Sequence, residues 1–239
     1  DQTKEQTHAT PTEQGSVLLR TGEMDEPKHQ EILRKIQEKA PEAKELRFES
    51  VGPTVSADLA RKAVISLFAA SIAIVLYISF AFRKVPQPAS SWRFGLCAIL
   101  ALLHDVLFVV GAFSLIGRLI GYEIDSLFVT ALLTIIGFSV HDTIVVFDRV
   151  RERLHLSVGQ GFPEIVNDSI LQTFARSLNT SLTVILVLLA LLLLGGATIR
   201  PFILALLLGI TIGTYSSIFN AAPLLVTWQN WIDRREQQD

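Results

Sequence analysis

Apolar residues in this chain are gathered into long, nearly unbroken blocks, with the charged residues pushed into the short segments between them. A helix needs about 20 mostly apolar residues to cross roughly 30 Å of hydrocarbon. Five stretches reach that length: 63–82, 94–116, 127–147, 174–194 and 202–228. The first carries no charge, the second and third hold acidic residues and histidine, and the fourth has an arginine near its start. The pattern predicts a multispanning α-helical membrane protein, with a five-span bundle over residues 63–233 and a short tail over 234–239.

Residues 1–62 differ in kind. Residues 1–14 are polar and charged and read as poorly ordered, whereas Val17–Arg20 is a short apolar run suited to a strand. A helix is expected next: Pro27 suits a first turn behind Asp25 and Glu26, Ile32, Leu33, Ile36 and Ala40 recur at helical spacing, and Pro41 ends it. Leu46, Phe48 and Ser50 then alternate with Arg47 and Glu49, as in a half-buried strand. This makes a partial α+β domain, a βαβ unit of ferredoxin-like type. Alone it is too small to bury a core, so pairing with chain outside this sequence or with a partner domain is expected. With no initiator Met and no signal peptide at Asp1, the sequence reads as a piece of a longer protein.

Loop charge sets the expected sidedness, because Lys and Arg in short loops favour the cytoplasm. Arg83, Lys84 and Arg93 flank the loop after the first span, Arg149, Arg151, Arg153 and Arg176 lie between the third and fourth, and Arg234 and Arg235 follow the fifth. The opposite loops carry only Arg118 and Arg200. The C-terminus is therefore expected in the cytoplasm and the N-terminal domain outside. Trp92, Trp228 and Trp231 fall at the expected cytoplasmic ends, where amphipathic rings anchor at the interface.

Composition adds exclusions. Half of the 239 residues are hydrophobic, 18% are charged, and mean hydropathy is +0.43, which argues against a soluble enzyme. A net charge of −2 offers no basic surface for nucleic acid. The single cysteine, Cys97, excludes an internal disulfide framework, and no metal site is expected. Phosphate-loop, nucleophile-elbow and H-E-x-x-H motifs are all absent, so neither direct ATP use nor hydrolytic chemistry is supported. No catalytic residue and no cofactor is assigned; an ion gradient or a partner is the expected driving force.

The candidate chemistry lies within the membrane. LFVTALLTIIGFSVHDTIVVF places His141 and Asp142 inside the third span, where a central Asp costs roughly 2.5 to 3.5 kcal/mol on insertion scales and so marks a bundle interior or an ion pathway. Thr130, Thr134, Gly137 and His141 form a small, polar stripe expected to face protein, with Asp142 beside it. Arg176, at matching depth on the fourth span, is the expected partner of Asp142. The residues alone leave open a proton relay and a static ion pair that fixes helix packing. His104 and Asp105 are a second polar pair, read first as structural and otherwise as an auxiliary branch of the relay, as is His141. Asp125 and Glu123 are read as interfacial, and Asp148 as a surface partner of the adjacent arginines.

Ala205, Gly209, Gly213, Ser217 and Ala221 place a small residue every fourth position of the fifth span, the signature of close helix packing. Asn220 and Pro223 are expected to bend that helix near its end. Phe162, Ile165, Val166, Ile170 and Phe174 share one helical face and predict a helix lying on the cytoplasmic surface, against lipid or against a partner.

The stretches VGPTVSADLARKA, WRFGLCAILALLHDV, IGFSVHDTIVVFDRVRER, RSLNTSLTV and GTYSSIFNAAPLL, spread over residues 51–231, resemble the SecF family of protein-export membrane proteins, within the resistance-nodulation-division superfamily. The resemblance implies the SecF half of a bacterial SecDF machine in the cytoplasmic membrane. It would use the proton gradient, and no enzymatic activity, to promote export of a translocating preprotein. Implied partners are SecD, the SecYEG channel, the YajC accessory subunit and membrane lipid. It also implies a sixth span upstream, a proton-handling role for Asp142 and Arg176, and a departure at His141, where many members carry Asn. Rival readings are a proton-coupled small-molecule exporter, for which the outer loops 117–125 and 195–201 are too short, and a purely structural scaffold subunit.

Overall fold

The computed structural model describes residues 8–11, 17–20, 26–46, 53–83, 85–86, 90–120, 122, 124–156, 159–196 and 198–236. They fall into two units, residues 1–64 and 65–239.

In the first unit β1 (His8–Pro11) pairs antiparallel with β2 (Val17–Arg20), His8 opposite Arg20 and Pro11 opposite Val17. The α1 helix (Glu26–Lys39) follows. It is solvated on most sides, with i,i+4 contacts such as Lys35 to Glu31 at 2.6 Å, while Ile32, Leu33 and Ile36 are half-buried. Beyond it, Glu45 returns to meet the His29 ring at 2.9 Å.

This differs from the expected βαβ order. Both strands precede the helix, and none follows it among the described residues. Leu46 is 82% exposed and outside any strand, while Phe48 and Ser50 lie outside the described residues. Residues 8–11, inside the segment read as poorly ordered, form β1 because a strand is made by its ladder partner, here β2, as much as by its own side chains.

Among the described residues five helices are long and apolar enough to cross a membrane, the first within α2 (Pro53–Ala81). They continue with α3 (Ser91–Ile120), α4 (Ser126–Leu156), α5 (Phe162–Leu194) and a helix that runs as α6 (Arg200–Ser216), a wide π turn (Ser217–Ala221) and α7 (Ala222–Glu236). The helices α3, α4 and α5 overrun the apolar blocks. Beyond the apolar part of α4, Asp148 pairs with Arg151 at 2.6 Å and Arg149 with Glu152 at 2.5 Å. At its other end, Asp125 accepts the Phe128 N–H at 2.8 Å, filling an orphan donor of the first turn.

The expected surface helix over 162–174 is instead the first three turns of α5. Pro163 occupies the first turn, where its missing N–H costs nothing, and nothing interrupts the helix before Gly195. Its apolar face turns onto protein: Phe162, Ile165 and Val166 are buried, and Arg153 of α4 holds Asp168 at 2.7 Å.

Two apolar clusters hold the helices together. One gathers Ile78, Phe82, Phe94, Phe147, Val150, Val166 and Leu225; the other gathers Val109, Phe113, Phe128, Ile135, Leu188, Ile203 and Ile210. Phe94 stacks on Phe82 at 5.2 Å and meets Phe147 edge-on at 5.0 Å, joining the end of α2 to α3 and α4. Trp92 and Trp228 meet edge-to-face at 5.1 Å, placing the start of α3 level with α7. Along α2, Ile65, Phe68, Ile72, Leu76 and Phe80 are exposed, as suits a helix solvated by lipid.

Candidate functional site

The site is built where α4 and α6 approach most closely. Gly209 leaves no room for a side chain: a Cβ there would run into the side chain of Ile135. One turn on, a Cβ on Gly213 would meet the Ser139 Cβ at 3.0 Å. Ala205, Ser217 and Ala221 on the same row are fully buried. The small-residue stripe therefore does pack helices, and its partner is the Ile135, Ser139, Asp142 side of α4.

The stripe ends in a polar contact. Ser217 Oγ donates to Asp142 Oδ2 at 2.6 Å, with Ser217 completely buried and Asp142 only 6% exposed. The same oxygen lies 3.0 Å from the Thr214 carbonyl. Thr214 Oγ1 meets Ser181 Oγ of α5 at 2.5 Å, which brings a third helix to the cluster. Ser217 opens the π turn. Pro223 supplies no N–H, and in a regular α-helix its ring would clash with the carbonyl of Phe219 four residues back, so the expected distortion takes the form of a widened turn.

A second carboxylate lies close by. Asp105 of α3 is 1% exposed; it accepts from Ser139 Oγ of α4 at 2.5 Å, and its Oδ1 is 3.0 Å from His104 Nδ1. Asn220 of the π turn places Nδ2 3.2 Å from the same ring nitrogen. Ser216 Oγ, 3.4 Å from the Asn220 amide, lies 3.4 Å from the Ala101 carbonyl of α3.

Other expectations are revised. Arg176 is exposed, and among the described residues it forms no ion pair or hydrogen bond, so the direct Asp142 pair is not made; Ser217 takes that place. Thr130, Thr134, Gly137 and His141 are all exposed, so the stripe does not face this chain's interior. Thr130 and Thr134 bond the carbonyls four residues back, at 2.9 and 2.8 Å, which satisfies their hydroxyls without a neighbouring helix. His141 lies on that outward face, one residue but about 100° of helix rotation from Asp142. No group of His, Cys, Asp and Glu suited to a metal is found among the described residues.

Sequence reading missed Ser139 and Ser216, took Asn220 only for a bend in its helix, and took Ser217 for packing alone. The available signal was the need itself, since a carboxylate buried in an apolar span requires donors, and hydroxyls on small-residue stripes supply them at little steric cost.

Chemically, Asp142 and Ser217 form a reversible pair. An ionised carboxylate accepts a hydrogen bond from the serine hydroxyl. A protonated one donates to the serine oxygen instead, whose own proton then turns to the Thr214 carbonyl. The pair accommodates either protonation state with one hydroxyl rotation and no helix movement.

Comparison with known proteins finds likeness over most of the chain. Residues 31–231 match the model of the protein export membrane protein SecD/SecF C-terminal family. The chain is 59% identical over 186 residues to the protein translocase subunit SecF of Thermobaculum terrenum, covering 78% of this chain and 58% of that protein. It is 43% identical over 232 residues to the SecF of Anaerolinea thermophila, covering 94% of this chain and 74% of that one. The crystal structure of SecDF, a translocon-associated membrane protein from Thermus thermophilus, superposes with a TM-score of 0.78 at 39% identity, over 94% of this chain and 29% of that chain. The chain belongs to the SecD/SecF family of protein export membrane proteins.

Proposed function

We propose that this chain is part of a SecF-type subunit of the Sec protein translocation machinery, one that turns proton movement through the membrane into work on an exported polypeptide. The observation carrying this reading is the buried Asp142 carboxylate, held inside an apolar bundle by a single serine that serves both its protonation states. A static packing contact has no need of an ionisable group there, whereas a carboxylate alternately loaded and emptied requires such a reversible partner.

The chain spans 58% of the length of its Thermobaculum terrenum relative, so the activity belongs to the longer protein. In this reading the subunit is not an enzyme and has no cofactor. The proton gradient supplies the energy, Asp142 carries the proton, and Arg176 serves as a counter-charge that approaches it at one stage of the cycle. SecD is the expected partner, supported by the single-chain SecDF structure that this fold matches. The SecYEG channel, the YajC subunit and the translocating preprotein follow from the family reading, as does residence in the bacterial cytoplasmic membrane. Arginines clustered at Arg149, Arg151, Arg153 and Arg234 favour the cytoplasm for that end, leaving the N-terminal unit outside.

The test is gradient-dependent completion of export into membrane vesicles, using the full-length complex with Asp142→Asn beside wild type. Loss of the gradient-driven component from a normally assembled variant supports the reading. Full retention of it reduces Asp142 to a packing residue and the chain to a scaffold.

A further inference from the structure

The π turn touches two ionisable centres. Its first residue, Ser217, bonds Asp142 on α4, and its fourth, Asn220, bonds His104 on α3, whose ring also meets Asp105. These two are the buried carboxylates of the bundle among its described residues.

Hydrogen-bond roles around His104 Nδ1 depend on where its proton sits. A ring nitrogen is either a donor or an acceptor at a given moment. Facing the Asn220 amide nitrogen at 3.2 Å it must accept, and facing an ionised Asp105 at 3.0 Å it must donate. Both contacts hold together when Asp105 carries the proton and points it at the ring. When the proton passes to Nδ1, the ring donates to the carboxylate and the Asn220 amide turns to present its oxygen. That rotation also withdraws the amide from Ser216 Oγ, which it meets at 3.4 Å, next to Ser217.

The groups facing this pair are Ser139 from α4, Ser216 from α6 and Asn220 from the π turn; among the described residues no Lys or Arg pairs with it. Around Asp142 the facing group is Ser217, with Arg176 of α5 exposed and His141 turned about 100° away on the exposed face of its own helix. We infer that His104 and Asp105 form a second proton-binding site, and that the π turn Ser217–Ala221 links its occupancy to that of Asp142. This deepens the proton-driven reading and rests on it. A proton arriving at one site re-aims a side chain of the turn, and the turn carries the change to the other carboxylate one residue away from its own anchor.

The test is infrared titration of the carbonyl stretch of protonated carboxyls, on the full-length complex in liposomes. In difference spectra between wild type and each variant, one titrating band is expected to be removed by Asp142→Asn and a second by Asp105→Asn. In Asp105→Asn the surviving Asp142 band should titrate with a displaced midpoint. His104→Gln, made at a side chain 44% exposed and so tolerant of change, should retain both bands and displace the Asp105 one. If Asp142→Asn removes no band, the proton-driven reading itself fails. If it removes one while Asp105→Asn removes none, or if His104→Gln leaves every band where wild type has it, the second site is refuted. An Asp142 band that titrates identically in wild type and Asp105→Asn refutes the linkage.

Discussion

Ser217 donates to Asp142 across 2.6 Å, from a π turn on one helix to the buried face of another, and so the stripe of small residues that packs the bundle ends at its most consequential carboxylate. The close approach of the helices is what makes the contact possible. A serine hydroxyl is short, and it reaches α4 only because Gly209 and Gly213 have already brought the two backbones together.

Because a hydrogen bond to an ionised group contributes about 1.5–3 kcal/mol and a neutral one about 0.5–1.5 kcal/mol, Ser217→Ala should destabilise the bundle more in the wild-type background than in Asp142→Asn. Thermal unfolding of the detergent-solubilised complex measures both costs, and equal costs contradict the contact.

Gly209→Ala should weaken the bundle by about 1–3 kcal/mol through overpacking, since its new methyl meets the Ile135 side chain. Adding Ile135→Ala should make the two changes less costly together than the sum of each alone. A double-mutant cycle on unfolding measures the coupling, and strict additivity contradicts the contact.

Arg176→Gln should leave unfolding within about 0.5 kcal/mol of wild type, because the exposed guanidinium anchors nothing among the described residues. Gradient-driven export should fall nonetheless if Arg176 meets Asp142 only during the cycle. A large stability loss without an export defect reverses that assignment and restores a static pair.

Phe94→Ala should cost about 3–5 kcal/mol, since the ring is fully buried between Phe82 and Phe147 and joins α2 to the helices beyond. Limited proteolysis of the assembled complex should then cut the 84–90 connection faster than in wild type.

Much of this protein is written one-dimensionally. A hydrocarbon core demands about 20 apolar residues per crossing and satisfied backbone bonds throughout, so length and hydropathy alone determine five helices, and small residues every fourth position determine which helix is approached closely. The same logic marks Asp105 and Asp142 as special, because a carboxylate in an apolar block is too costly to be incidental. What it does not contain is partnership. Arg176 and Asp142 match in depth and charge, yet depth is one coordinate, and rotation about the helix axis turns Arg176 outward while Ser217 meets the carboxylate. The Thr130 to His141 stripe has the period of a packing face, but α6 takes the Ile135, Ser139 and Asp142 side, where its glycines fit. Residues 162–174 carry an amphipathic face that suits either lipid or protein, and only the extended end of α4 decides for protein. The sequence by itself determined how many times the chain crosses and which groups must find partners; the tertiary structure alone decided who those partners are, because hydrogen bonds and steric fit depend on helix rotation and register, which no single helix specifies.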